Sequence, residues 1–183
     1  MEKTTTTQIA AASAEAQNAR VRTLESQLLK ARESSVAEFG NIEHRLEFVA
    51  EVNGVEYIND SKATDFNSTW YSLEFMAKPV IWIVGVSENE QDYSLFSELV
   101  ENRVKSIICL GGKSEKLLGT LVFDRELISD AETMEDAVEA AECIAKDGDL
   151  VLFSPACSSF DLFQNYKDRG QQFRKAVDKL FYK

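Results

Sequence analysis

No block of basic residues interrupts this sequence: 20 Lys and Arg are dispersed among 31 Asp and Glu, and the 183 residues carry a formal charge of −11. Neutralising a phosphate backbone or an anionic bilayer needs clustered cations, so neither nucleic acid nor membrane is expected as a main partner. Long apolar runs are lacking too. The longest, Val80 to Val86, is interrupted by Gly85 and falls far short of the roughly 20 residues that cross a bilayer, and the first twenty-five residues hold no apolar signal core. Cysteine is scarce: Cys109, Cys143 and Cys157 are odd in number and widely spaced, which excludes a disulfide framework and shows no metal-ligand spacing. A soluble cytoplasmic protein with reduced thiols is the expectation.

What is present suits a globular domain with an appendage. The composition is 44% hydrophobic, enough to bury a core. Residues 1–40 form a separate stretch, Thr-rich at first, then rich in Ala, Glu and Gln and free of Gly and Pro until Gly40, which favours helix. Val21, Leu24, Leu28 and Ala31 fall at heptad spacing for less than two heptads. That predicts an amphipathic helical segment packed on a neighbour, with self-association through it as the other reading.

From residue 41 onward the texture is α/β. "FVAEV" and "VEYIN" alternate apolar and polar residues around Asn53-Gly54, a dipeptide whose two members both tolerate positive φ, so an antiparallel hairpin is predicted. Short apolar runs follow at 79–85, 106–111, 126–129 and 150–155, as expected of strands buried on both faces. Helical patterns separate them at 65–76, 94–103, 114–118 and 134–145, with a long final stretch through Phe181. The predicted fold of residues 41–183 is a Rossmann-like open, mainly parallel sheet of about six strands with one antiparallel strand. Ligands of such sheets sit beyond the carboxyl ends of the strands. The loops after Ile58, Val84, Leu110, Ile128 and Phe153 are therefore the ones to inspect.

Two of these loops carry chemistry. "NDSKATD", 59–65, leads into a helix for which Thr64 or Asp65 is placed as N-cap. Capping alone does not call for Lys62 between Asp60 and Thr64. A helix N-terminus, an ammonium and hydroxyls in one crevice suit an anion or carboxylate. "SPACSSFD", 154–161, offers small residues and hydroxyls, read as opening the next helix's first turn on the same crevice. Cys157 with His44 as base would be a nucleophilic pair, but no local signature supports it, and a small buried thiol is the expectation. "GGKS" at 111–114 lacks the first glycine of a phosphate loop, "GVSENE" at 85–90 lacks two glycines of a dinucleotide fingerprint, and no G-x-S-x-G elbow occurs.

"EHRLEFV", "NDSKATD", "CLGG", "LFSPACSSFDLF" and "YKDRGQQF", in this order, resemble the C-terminal domain of the Mur ligases, in particular the branch that adds D-glutamate to UDP-N-acetylmuramoyl-L-alanine in peptidoglycan synthesis. The resemblance implies an ATP-dependent, amide-forming ligase in which ATP and Mg are bound mainly by a central domain, and the nucleotide-linked substrate by a first domain. Neither domain has a counterpart in these residues, so the chain by itself is expected to be non-catalytic. Carried onto matching positions, Lys62 and Thr64 would meet the glutamate carboxylates, Ser159 would hydrogen-bond one of them, and Phe160 and Tyr166 would wall the pocket. Asp60 would stand near the nucleotide ribose or base. His44 and Arg45 would lie at the hinge near the phosphates, with His44 also readable as a hydrogen-bonded hinge residue.

Two positions depart from the family pattern. Asn89 stands where a lysine usually points at the D-glutamate side chain, and Asp65 stands where asparagine is common. An ion pair at contact distance is worth ~1 kcal/mol in water and ~4 kcal/mol at an effective dielectric near 20, so the lost lysine weakens a carboxylate site by about one to three orders of magnitude. The competing expectations are a non-catalytic interaction module with a decayed pocket, and a sensor for a less acidic amino acid.

Overall fold

The computed structural model describes residues 42–86, 92–121, 123–124, 127–158 and 162–182. The helical segment expected over 1–40, together with Asn89, Ser159 and Phe160, lies outside the described residues. The chain begins with strands β1 (Glu47–Val52) and β2 (Val55–Asn59), paired antiparallel from Glu47↔Asn59 to Val52↔Val55. Asn53 and Gly54 take φ of 52° and 76°, the left-handed pair that the hairpin requires. Helix α1 (Phe66–Phe75) follows, then β3 (Val80–Gly85), a 3₁₀ turn (Tyr93–Phe96), α2 (Ser97–Arg103) and β4 (Val104–Leu110). The short α3 (Glu115–Leu118), β5 (Ile128–Ala131), α4 (Met134–Ile144), β6 (Leu150–Phe153) and α5 (Tyr166–Lys179) complete the fold.

The sheet order is β1-β2-β6-β3-β4-β5, parallel throughout except for the β1–β2 pair. Period-two alternation in the central strands divides the core. Val80, Trp82 and Val84 of β3 join Leu73 of α1 and Val100 of α2 on one face. Ile81 and Ile83 join Ala137 and Val138 of α4 and Phe173 and Val177 of α5 on the other. The six-stranded, mainly parallel sheet expected from the sequence is thus present. Several boundaries differ: β4 starts at Val104 rather than 106, and β6 ends at Phe153 rather than 155. The strand read at 126–129 runs from Ile128 to Ala131 because Ile107–Leu110 supplies a partner only there, and the polar Ser129-Asp130 that hid it sits on an edge strand. No helix starts among the described residues 154–158 after β6: α5 begins at Tyr166, capped by Asn165, whose side chain accepts from Lys167 N and Asp168 N.

Chain direction places the site. The loops after β3 and β6, adjacent parallel strands, leave toward opposite faces, β3 toward α2 and β6 toward α5. Such a switch point opens a crevice at the carboxyl ends of the two strands. Gly85 closes the last turn of β3 beneath it, where its N–H donates to Pro155 O at 3.0 Å. A Cβ on Gly85 would come within 2.3 Å of Cys157 Sγ. No helix among the described residues is long and apolar enough to cross a membrane. Gly85→Ala should therefore lower stability by about 1–3 kcal/mol through overpacking, read as a reduced urea midpoint with an unchanged slope.

Candidate functional site

The two loops singled out by the sequence meet. Asn59 and Phe153 are register partners at the ends of β2 and β6, and Asp60 N–H continues the ladder to Phe153 O at 2.8 Å. The first loop then turns sharply: Ala63 N–H donates to Asp60 O at 2.9 Å, and Ser61 N–H to the Asn59 side-chain oxygen at 3.2 Å. The second loop turns at Ala156, with φ 57°.

Arg169 joins them. Its Nη2 donates to Ser61 O at 2.8 Å, and its Nη1 to Cys157 O and Ser158 O, both at 3.1 Å. The guanidinium is 2% exposed and lies 5.9 Å from the centre of the Phe153 ring. Burial draws its pKa down, opposed by Cys157 and Asp60. Only guanidinium offers several fixed, diverging N–H donors that can serve three carbonyls at once. "YKDRGQQF" was recognised as a motif, but Arg169 was not singled out within it. A signal was available: a cation in a helix's first turn opposes the macrodipole, so its presence calls for a partner. The next residue is glycine for a related reason, since a Cβ on Gly170 would lie 2.3 Å from His44 Nδ1 and 2.4 Å from Ser61 Oγ.

Beyond Arg169 a small crevice of about 30 Å³ opens between the ends of β3, β4 and β6, lined by Gly85, Val86, Gly111, Cys157, Ser158 and Arg169 among others. Lys62 and Thr64 are not among the residues that line it, although Ser61, next to Lys62, is bonded to the lining Arg169. Lys62 is half-buried, its N–H held by His44 O at 3.0 Å, and Thr64 is exposed. Among the described residues the Lys62 ammonium has no carboxylate partner within 4.0 Å. Tyr166 opens α5 with its ring 6.4 Å from His44, edge to face. Lys62, Thr64, His44 and Tyr166 thus come to one region, while the placement of Ser159 and Phe160 is not described. The N-cap of α1 is Asp65, which accepts from Ser68 N and Ser68 Oγ at 2.9 Å. The helix end expected to be free for an anion therefore already holds a carboxylate.

Three other expected site residues are built into the fold. The Asp60 carboxylate is turned inward, accepting from Leu46 N–H at 3.2 Å and lying 2.6 Å from Ser72 Oγ and 2.8 Å from Ser154 Oγ. Burial raises its pKa to about 6 against these hydrogen bonds and the charge of Arg45. His44 is 2% exposed. Because Asn59 Oδ1 accepts from Ser61 N–H, Asn59 Nδ2 is the donor to His44 Nδ1 at 2.9 Å, which makes Nδ1 an acceptor and the ring neutral with its proton on Nε2. Arg45 flanks His44, half-buried, with its N–H on Ile42 O at 3.0 Å. Cys157 is buried against Gly85, in keeping with a packed thiol.

The model of the Mur ligase, glutamate ligase domain, matches residues 44–157. The chain belongs to this family. It is 44% identical over 169 residues to the UDP-N-acetylmuramoylalanine--D-glutamate ligase of Christiangramia forsetii, covering 90% of this chain and 38% of that protein. It is 52% identical over 145 residues to the protein of the same name from Porphyromonas gingivalis, covering 78% of this chain and 32% of that one. This Mur ligase chain therefore spans about a third of the length of the curated relatives it matches. A bifunctional folylpolyglutamate synthase/dihydrofolate synthase from Yersinia pestis, solved with AMPPNP and Mn, superposes with a TM-score of 0.51 at 16% identity. The superposition covers 77% of this chain and 32% of that one, and shows a shared fold.

Arg169→Ala should leave two buried carbonyls and a part-buried one without their donor and cost about 3 kcal/mol or more, while Arg169→Lys recovers part of the loss; urea unfolding checks both. His44 makes a second expectation. Burial lowers its pKa below 6.5, so the unfolded chain binds the extra proton and stability falls as pH drops through that value. The urea-midpoint advantage of wild type over His44→Gln should accordingly be full above pH 6.5 and shrink below it.

Proposed function

We propose that this chain is the C-terminal, amino-acid-presenting domain of an ATP-dependent ligase that joins D-glutamate to UDP-N-acetylmuramoyl-L-alanine in peptidoglycan synthesis. The observation that carries this reading is the junction of the 60–64 and 154–158 loops by Arg169, in a sequence 52% identical to a relative named for that reaction. Lys62, with no carboxylate partner among the described residues, supplies a cation for a carboxylate, the exposed Thr64 a hydrogen bond, and the Tyr166 ring a wall beside His44. Ser159 and Phe160 would complete the pocket from the second loop.

The residues present do not by themselves fit ATP and Mg. The sequence has no complete phosphate loop, and among the described residues no group of three or more His, Cys, Asp or Glu could hold a metal. Asp60, the carboxylate expected nearest the nucleotide, is occupied inside the fold. ATP and Mg are therefore assigned mainly to segments beyond these 183 residues, as are the UDP-linked acceptor's contacts. The reading carries a cytoplasmic setting with it.

Calorimetry with D-glutamate tests the proposal. Binding that Lys62→Ala weakens at least about fivefold without moving the urea midpoint is expected, since a carboxylate–ammonium pair at this exposure is worth about 1–4 kcal/mol. An affinity indifferent to Lys62→Ala would sink the reading. Binding that appears only in Asn89→Lys would favour the alternative of a decayed pocket. The isolated 183 residues should turn over no ATP in a phosphate-release assay.

A further inference from the structure

Asp60 stands where three segments meet. Its Oδ1 accepts from Leu46 N–H at 3.2 Å, in the stretch before β1. Its Oδ2 lies 2.6 Å from Ser72 Oγ on α1 and 2.8 Å from Ser154 Oγ after β6. The hydrogens available there can be counted. Ser72 has one hydroxyl hydrogen and two acceptors within reach, Asp60 Oδ2 and Ser68 O, the latter at 2.9 Å. With the carboxylate ionised, one of these contacts brings two lone pairs together. A proton on Asp60 Oδ2 removes the conflict: the acid donates to Ser72 Oγ, and Ser72 donates to Ser68 O. Ser154 still donates to the remaining lone pair of Oδ2 while its own oxygen, 3.0 Å from Thr69 Oγ1, can accept from Thr69.

The segment that this carboxyl holds is a strained one. His44 and Leu46 have φ of 66° and 44°, left-handed conformations that non-glycine residues adopt only when their surroundings impose them. Leu46 is tied there by Asp60, while His44 O holds the N–H of Lys62. The strained stretch, the carboxyl and the lysine loop are thus one hydrogen-bonded unit.

We propose that Asp60 is a proton-operated latch: with a proton on Oδ2 the chain of hydrogen bonds from Ser68 through Ser72, Asp60 and Ser154 to Thr69 closes, and the 44–46 segment and the Lys62 loop settle into one arrangement. Without the proton the joint is frustrated and looser.

The charged groups around it bear on the direction. Arg45, before β1, favours the ionised form, and the buried Arg169 of α5 is coupled to Asp60 in the same sense. His44 beside Arg45 is neutral in its Asn59 bond, and Glu47 of β1 is engaged by Arg174 and Asn59. On α1, Asp65 caps the helix start and Glu74 lies in its last turn; Lys62 is on the loop of Asp60 itself, and Cys157 is the titratable group among the described residues of the loop after β6. Burial outweighs the hydrogen bonds from Ser72, Ser154 and Leu46 and the charge of Arg45, and moves the titration up to about 6. For a carboxyl raised in this way the native state holds the extra proton, so the tightening is complete below 3.8 and is lost as pH rises through about 6.

The test is an NMR titration of the labelled full chain without any ligand, so its outcome is separate from that of the D-glutamate reading. Expected is an Asp60 carboxyl carbon titrating near pH 6, with the Leu46 and Lys62 amides shifting at the same midpoint. In Asp60→Asn, whose amide donates to Ser72 as the neutral acid would, both amides should stay pH-independent near their acid-limit positions in wild type. A carboxyl midpoint at the ordinary 3.8, or Leu46 and Lys62 amides that do not follow it, would overturn the latch. Should Asp60→Asn fail to fold, the wild-type titration decides alone.

Discussion

The site depends on one buried guanidinium. Nothing in the parallel pairing of β2 with β6 obliges the loops that leave those strands to stay together, since one departs toward α1 and the other toward α5. Arg169 removes that freedom by donating to carbonyls of both. A cation held out of water by carbonyl dipoles is tolerable only if its donors are well placed, and the required geometry then fixes the loops as firmly as it fixes the arginine. Gly170 beside it lets α5 approach until His44 and Ser61 touch the helix backbone, which brings Tyr166 to the same region.

Around this joint the polar groups sort into two kinds. Asn59, Asp60, His44 and Ser154 are spent on one another and on backbone groups, so they define shape. Lys62 is only half-buried and Thr64 is exposed, so both keep access to water. The division follows from burial. A group that cannot reach water must find its partners in the fold, while a group that keeps access to water can exchange it for a substrate at small cost.

Much of the architecture was legible. Asn53-Gly54 between two alternating runs marked the hairpin, and Val80–Gly85 and Leu150–Phe153 read as doubly buried strands because a parallel sheet covered on both faces asks for continuous apolar residues. β5 was misplaced by two residues because an edge strand with one neighbour tolerates Ser129 and Asp130, which weakens the pattern. In the site, the resemblance pointed to Lys62, Thr64 and Tyr166. Arg169 was overlooked because it looks like a surface residue of a polar helix. The inward turn of the Asp60 carboxylate was not legible, because a sequence gives no sign of which way a carboxylate points.

The sequence by itself determined the element order, the parallel sheet and the identity of the two loops, since hydrophobic period, turn residues and caps act over a few neighbouring positions. Only the tertiary structure decided that Arg169 would join loops about a hundred residues apart, that Asp60 would turn inward, and that His44 would be neutral. Those outcomes depend on distances between elements set by packing, and on the loss of water when packing closes over a charge.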